Sequence, residues 1–206
     1  MLKANDKLPI RVLLGVTGAS GSIYASRVLD LLVQRIERVY VVVTESGEKV
    51  AKHELVADSV LRRVLEGHLT QDEKNIIRHF QNDDLFAPCA SGSAAPHAVV
   101  ILPCSMGSLS RIALGNSGNL IERASDVALK QKRKLLICPR ETPLNLIHLR
   151  NMVSLSEAGA EMIPMMPGFY QHPKSMEDLV DFCAGKVLEQ LSLTHDLYRP
   201  WNSRMM

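Results

Sequence analysis

Aromatic side chains are scarce in this sequence, with four Phe, four Tyr and one Trp in 206 residues. So small a set cannot tile a surface with the stacking platforms used by single-strand nucleic-acid binders. Charge of one sign is lacking as well: 24 basic residues meet 22 acidic ones for a net +2, which leaves no basic face for nucleic acid. Cysteine is rare, and Cys89, Cys104, Cys138 and Cys183 form no CxxC or CxxH pair. Neither a zinc site nor a disulfide framework is signalled, and each thiol reads as a small buried apolar group. No apolar run approaches the roughly 18 residues of a membrane span. The opening segment MLKANDKLPIRVLLGV lacks the apolar core of a signal peptide. The expectation is a cytoplasmic, single-domain protein that acts on small molecules, with no metal.

What the sequence does have is alternation. Short β-branched runs at residues 11–16 (RVLLGV), 38–43 (RVYVVV), 98–102 (AVVIL) and 134–138 (KLLIC) read as buried strands. Helical periodicity occupies 22–36, 47–54, 59–65, 120–131 and 146–158. A last helix over 176–191 starts at Ser175, with Asp178 placed as in a capping box. This order predicts an α/β fold with a mainly parallel sheet and helices on both faces. Residues 67–96 are polar and turn-rich, and predict a long loop with short helical pieces. Residues 162–170, MIPMMPGFY, are apolar but irregular, which favours an interface or a ligand wall.

Between the first strand and first helix lies Gly15-Val-Thr-Gly18-Ala-Ser-Gly21. A strand, a glycine turn and a helix start together expose backbone N–H groups that suit a phosphate. The spacing is neither GxGxxG nor a P-loop, so simple closure of a βα unit stays open. A second small-residue turn, Pro103-Cys104-Ser105-Met106-Gly107-Ser108, again follows a strand and precedes a helix. Two such loops at strand carboxyl ends can face one crevice and hold a mononucleotide. The run Pro139-Arg140-Glu141-Thr142-Pro143 puts a cation and a carboxylate at the same edge. These either bind an anion and move a proton, or merely cap the next helix. Arg123 and Lys130, seven residues apart, share a helix face and by pattern alone read as solvated charge.

Six strings together are specific. GVTGASGSIYASR at 15–27, ASGS at 90–93, PCSMGSL at 103–109, NLIERASDVALK at 119–130, PRETPLNLIHLRNM at 139–152 and PGFYQHPKSMEDLVDF at 167–182 resemble the UbiX-type flavin prenyltransferases. The resemblance runs over about residues 10–191. It implies a single Rossmann-like (flavodoxin-like) three-layer domain over 1–192 and a tail, 193–206, packed on a neighbouring subunit. It implies transfer of the dimethylallyl group of dimethylallyl phosphate to reduced FMN, with release of phosphate. It further implies a homododecamer with its site between subunits, and delivery of prenylated FMN to a UbiD-type decarboxylase of ubiquinone biosynthesis or aromatic-acid metabolism.

Carried over by motif, Gly18, Ala19, Ser20, Thr44, Ser105, Met106, Gly107, Ser108 and Arg140 hold FMN. Tyr170 and Lys186 hold the prenyl phosphate, with Arg123 and Lys130 from a neighbouring subunit and Trp201 closing from the tail. Glu141 and Glu54 carry protons, Ser20 and Ser91 place hydroxyls beside the reacting ring, and Lys130 supports the departing phosphate. The resemblance thus reverses the bland reading of Arg123 and Lys130. Lys186 stands where the family often has Arg, which keeps the charge and loses the two-pronged fork. His53, His97, His148 and His172 are read as structural or surface residues. Two alternatives accompany this reading: an FMN-dependent oxidative decarboxylase of a cysteine-containing substrate, and a non-catalytic flavin carrier. The joint presence of Glu141, Lys130 and Tyr170 favours prenyl transfer.

Overall fold

The protein is described from a computed structural model covering residues 7–199. Six strands, β1 (Leu8–Val16), β2 (Ile36–Val43), β3 (Ile77–Gln81), β4 (Ala98–Cys104), β5 (Lys134–Pro139) and β6 (Glu161–Met162), form one sheet. Its order is β3-β2-β1-β4-β5-β6, and every pairing is parallel. The helices are α1 (Ser22–Arg35), α2 (Glu45–Glu54), α3 (Val60–Glu66), α4 (Gln71–Ile76), α5 (Met106–Ala113), α6 (Leu120–Lys130), α7 (Leu146–Glu157) and α8 (Met176–Gln190).

The β-branched runs need cover on both faces, and strand alternation divides them between two cores. Val12, Leu14, Val39, Val41, Val100 and Leu136 pack with α1, α3 and α8 on one side. Their neighbours Leu13, Val42, Val99, Ile101, Leu135 and Ile137 pack with α5 and α6 on the other. The result is the three-layer flavodoxin-like architecture expected. Gly15 in β1 leaves the room that Ile101 and Ile121 fill, since a Cβ there would stand 2.8 Å from Ile101 Cδ1. All four cysteines are buried. Burial pushes the Cys104 thiol up to about 12 and those of Cys89 and Cys183 to about 11, so these are packing groups and poor nucleophiles.

Residues 67–96 differ from the expected loop. They hold α4, whose Thr70 and Glu73 form a capping box, and the edge strand β3. In β3, IRHFQ, only Ile77 is buried, because an edge strand is not covered on both faces. The polar sequence therefore hid a strand. The short β6 likewise lies at the start of the stretch read as irregular. Among the described residues no helix is long and apolar enough to cross a membrane.

Ile101→Ala removes a fully buried side chain between β1 and α6. Its expected cost is about 2–5 kcal/mol, read as a lower urea midpoint at fixed protein concentration. Lys74→Ala on exposed α4 should stay within about 0.5 kcal/mol of the parent.

Candidate active site

At the carboxyl edge of the sheet the order turns, β1 pairing with β2 on one side and β4 on the other. Such a switch point opens a crevice between the loops that follow the strands. Thr17, fully buried, ties those loops together. Its hydroxyl donates to the Pro103 carbonyl at 2.8 Å and accepts the Ser105 N–H at 2.7 Å. Thr44 begins α2 by accepting the Gly47 N–H at 3.0 Å. The loops after β1 and β2 meet almost backbone to backbone: a Cβ on Gly18 would lie 2.4 Å from Ser46 Oγ, and one on Gly47 2.8 Å from the Val16 carbonyl oxygen. Ser105 caps α5 by accepting the Ser108 N–H at 3.3 Å. The Met106 and Gly107 N–H groups, at the first two positions of α5, lie outside the helix's own ladder. The nearest atom to a Cβ on Gly107 would be Arg111 Nη1, 3.7 Å away, so that side of the helix start is open. Arg140 crosses from β5 and donates from Nε to the Ser20 carbonyl at 3.2 Å.

The start of α1 is occupied from within. Its cap residue, Gly21, has φ of 107° and no side chain to offer. The Glu54 carboxylate, arriving from the end of α2, accepts the Gly21 and Ser22 N–H groups at 3.0 and 2.9 Å. Burial raises the pKa of Glu54, but hydrogen bonds from the Ser20 hydroxyl and from the Ser22 and Gly21 amides outweigh it and hold the carboxyl below its ordinary value. Glu54 is therefore ionised at neutral pH and sits beside Ser20. An anion is left with Gly18 to Ser20 and the start of α5, because this carboxylate already takes the N–H groups of Gly21 and Ser22. Glu141 is exposed, with one carboxylate oxygen accepting the Thr142 N–H at 3.0 Å.

A second group lies around α8, which packs on α1. Tyr170 meets Phe182 edge-on with ring centroids 5.7 Å apart, and Lys186 Nζ stands 5.7 Å from the same Phe182 ring. Tyr170 and Lys186 are thus brought to one aromatic side chain. A cavity of about 240 Å³ opens there, lined in part by Gly168, Gln171, His172, Phe182 and Tyr198. Residues 193–199, the first part of the tail, lie on this chain's own body. Leu193 is buried, and Arg35 Nε donates to the Thr194 carbonyl at 3.3 Å. Trp201 lies outside the described residues.

A third group stands apart. Asn119 caps α6 by accepting the Glu122 N–H at 3.0 Å, and the backbone carbonyl of Asn82, just beyond the carboxyl end of β3, accepts the Leu120 N–H at 2.7 Å. The helix then runs roughly 15 Å to Lys130, near the amino end of β5. Gly92 approaches the Gln131 side chain so closely that a Cβ would lie 2.6 Å from Nε2. Arg123 donates to the Ala90 carbonyl at 3.1 Å and pairs with Asp126 at 3.1 Å. One chain therefore gathers Gly18, Ala19, Ser20, Thr44, Glu54, Ser105 to Ser108 and Arg140, and leaves Lys130 at the opposite edge. Ser91 lies in the β3–β4 connection beside α6, between Ala90, which meets Arg123, and Gly92, which meets Gln131, and its hydroxyl pairs with that of Ser93 at 3.1 Å.

The Flavoprotein family model matches residues 2–189. The flavin prenyltransferase UbiX of Halalkalibacterium halodurans is 48% identical over 187 residues, 91% of either chain. The chain belongs to the UbiX flavin prenyltransferase family. AnUbiX, solved in complex with FMN and dimethylallyl pyrophosphate, superposes with a TM-score of 0.84 at 32% identity, covering 95% of this chain and 99% of that one. A dodecameric FMN-dependent UbiX-like decarboxylase from Escherichia coli O157:H7 also reaches 0.84 at 32% identity, covering 94% and 100%.

The edge loops of this UbiX-family chain fit a flavin mononucleotide. Small side chains line both turns, backbone donors stand open at the start of α5, and Arg140 supplies a cation at the rim. Thr17 was missed by the sequence reading, although a threonine directly after a strand and before a glycine turn is the signal for such a tie.

Thr17→Val strands the half-buried Ser105 N–H and the buried Pro103 carbonyl, and should cost about 1–3 kcal/mol in thermal or urea unfolding. FMN affinity in a fluorescence titration should fall in parallel, because the two loops lose their fixed spacing. The lowered pKa of Glu54 gives a pH test. Its contribution is complete above the unfolded carboxylate value of about 4.3 and fades as pH drops through the folded value. Hydrogen-exchange protection at Gly21 and Ser22 should therefore persist at pH 5 and decline only once the pH falls below the ordinary carboxylate value. In Glu54→Gln the protection should be weaker and indifferent to pH over that range.

Proposed function

We propose that this chain transfers the dimethylallyl group of dimethylallyl phosphate to reduced FMN and releases inorganic phosphate. The observation that carries the reading is the division of one chain into an FMN-type cradle at one sheet edge and a cationic helix end, with Lys130, at the other. Residues that must meet around one donor are presented on separate faces, as a site shared between copies requires. Reduced FMN, when bound, supplies the electron-rich ring that accepts the prenyl unit.

The residues act as follows. Gly18, Ala19, Ser20, Thr44, Arg140 and the Ser105 to Ser108 turn hold the mononucleotide. Tyr170 and Lys186, joined by Arg123 and Lys130 of a neighbouring copy, bind the phosphate of the donor. As the allylic carbon–oxygen bond breaks, its electron pair leaves with the phosphate, and clustered cations stabilise that charge without a metal. Glu54, held ionised beside Ser20, accepts a proton, and exposed Glu141 moves one at the rim.

The assembly is a homo-oligomer, and a dodecamer is in keeping with the solved relative. The α7 surface supports assembly, since Leu146, Ile147, Leu149 and Val153 are all exposed on one helix. The product goes to a UbiD-type decarboxylase in the cytoplasm.

Mixing protein, anaerobically reduced FMN and dimethylallyl phosphate should release a flavin heavier by one prenyl unit, together with inorganic phosphate. An unchanged flavin mass would refute the assignment. Glu141→Gln should keep FMN and lose roughly 100-fold in turnover. Lys130→Ala should weaken the donor more than FMN. Co-assembling these two variants should restore about a quarter of the sites, each built from one intact half of either chain. No recovery on mixing would place both residues in one subunit's site.

A further inference from the structure

Lys186 does not wait for a phosphate alone. Its Nζ lies 2.9 Å from Glu189 Oε2, one helical turn further along α8, and 5.3 Å from the Tyr198 ring. The other Glu189 oxygen is held from the tail: the Tyr198 hydroxyl donates to Oε1, and His195 Nε2 approaches it at 3.5 Å. The His195 side chain is only 7% exposed, so this anchor is built in. Gly185 makes the packing possible, because a Cβ there would lie 2.4 Å from Tyr198 Cε1 and 2.9 Å from His195 Cε1. Residues 193–199 thus fix a carboxylate next to the ammonium that, in the proposed reaction, receives the donor's phosphate.

We infer that Glu189 is a specificity-determining residue that disfavours extra negative charge on the prenyl donor, selecting the monophosphate over the pyrophosphate. The inference rests on the proposed role of Lys186. An anion seated on the Lys186 ammonium lies within a few ångströms of a fixed carboxylate of like charge, and the repulsion grows with each charge the anion carries. A monophosphate ester brings roughly −2, and a pyrophosphate about one more. Lys186 has three donors, of which Glu189 takes one, so the phosphate can still bind. The same repulsion eases release of inorganic phosphate after transfer.

The test compares parent enzyme with Glu189→Gln, Glu189→Asp and Tyr198→Phe. For Glu189→Gln the ratio of kcat/KM for dimethylallyl pyrophosphate to that for the monophosphate should rise about twofold to fivefold, the range expected for one partly exposed charge. The change should lie in KM, with kcat for the monophosphate nearly constant. Calorimetric binding of inorganic phosphate and pyrophosphate to the FMN-loaded enzyme should tighten, pyrophosphate more. Glu189→Asp should return the preference towards the parent. Tyr198→Phe keeps the charge but frees the carboxylate, and should give a smaller shift in the same direction. Unchanged ratios and unchanged anion affinities in Glu189→Gln would overturn the inference, as would a loss of kcat for both donors alike. Failure of the parent to make prenylated FMN with either donor would instead refute the proposed function.

Discussion

The geometry of the cradle depends on one buried hydroxyl. Thr17 Oγ1 spends its donor on Pro103 and its acceptor on Ser105, and thereby locks the end of β1 to the end of β4 where the sheet changes direction. Every other feature of that edge is referenced to this bond. Ser105 is held where it can start α5, Gly18 is held against Ser46, and Arg140 finds the Ser20 carbonyl at a fixed distance. In a dry interior such a bridge is expensive to lose, since both loops would present unpaired polar groups where water cannot follow.

Much of this was legible in the residues. The β-branched runs reported buried parallel strands, and the two small-residue turns reported which strand ends face the crevice. The motif strings supplied the family. What was not legible has physical causes. β3 is an edge strand and is not obliged to be apolar on both faces, so its polar IRHFQ looked like loop. Glu54, in AKHEL, carries no local sign that its carboxylate will reach back to Gly21, because that contact spans 33 positions and depends on how α2 packs. Lys130 could be assigned to the site by motif, yet no spacing rule shows that the fold sends it to the opposite sheet edge.

That separation gives the single chain an unusual character. Its halves are well made on their own: Arg123 already has Ala90 and Asp126, and Lys186 already has Glu189. Each cation is thereby partnered within its own chain, which offsets part of the cost of taking its charge partly out of water. The exposed apolar side of α7 complements this arrangement, since a surface of that kind is stable in water chiefly when another copy covers it.

The Glu54 clasp carries one more consequence. A single carboxylate closes the first βα unit onto the second and also stands, ionised, beside Ser20 in the cradle. Heat tolerance and the charge of the cradle are therefore wired to the same atom pair. In descent, a lineage could not tune the basicity of that group freely, because each step would also slacken or stiffen the first helix. Adaptation of this enzyme to hot, cold or acidic surroundings would have to be sought in the layers around the clasp, leaving the clasp itself in place.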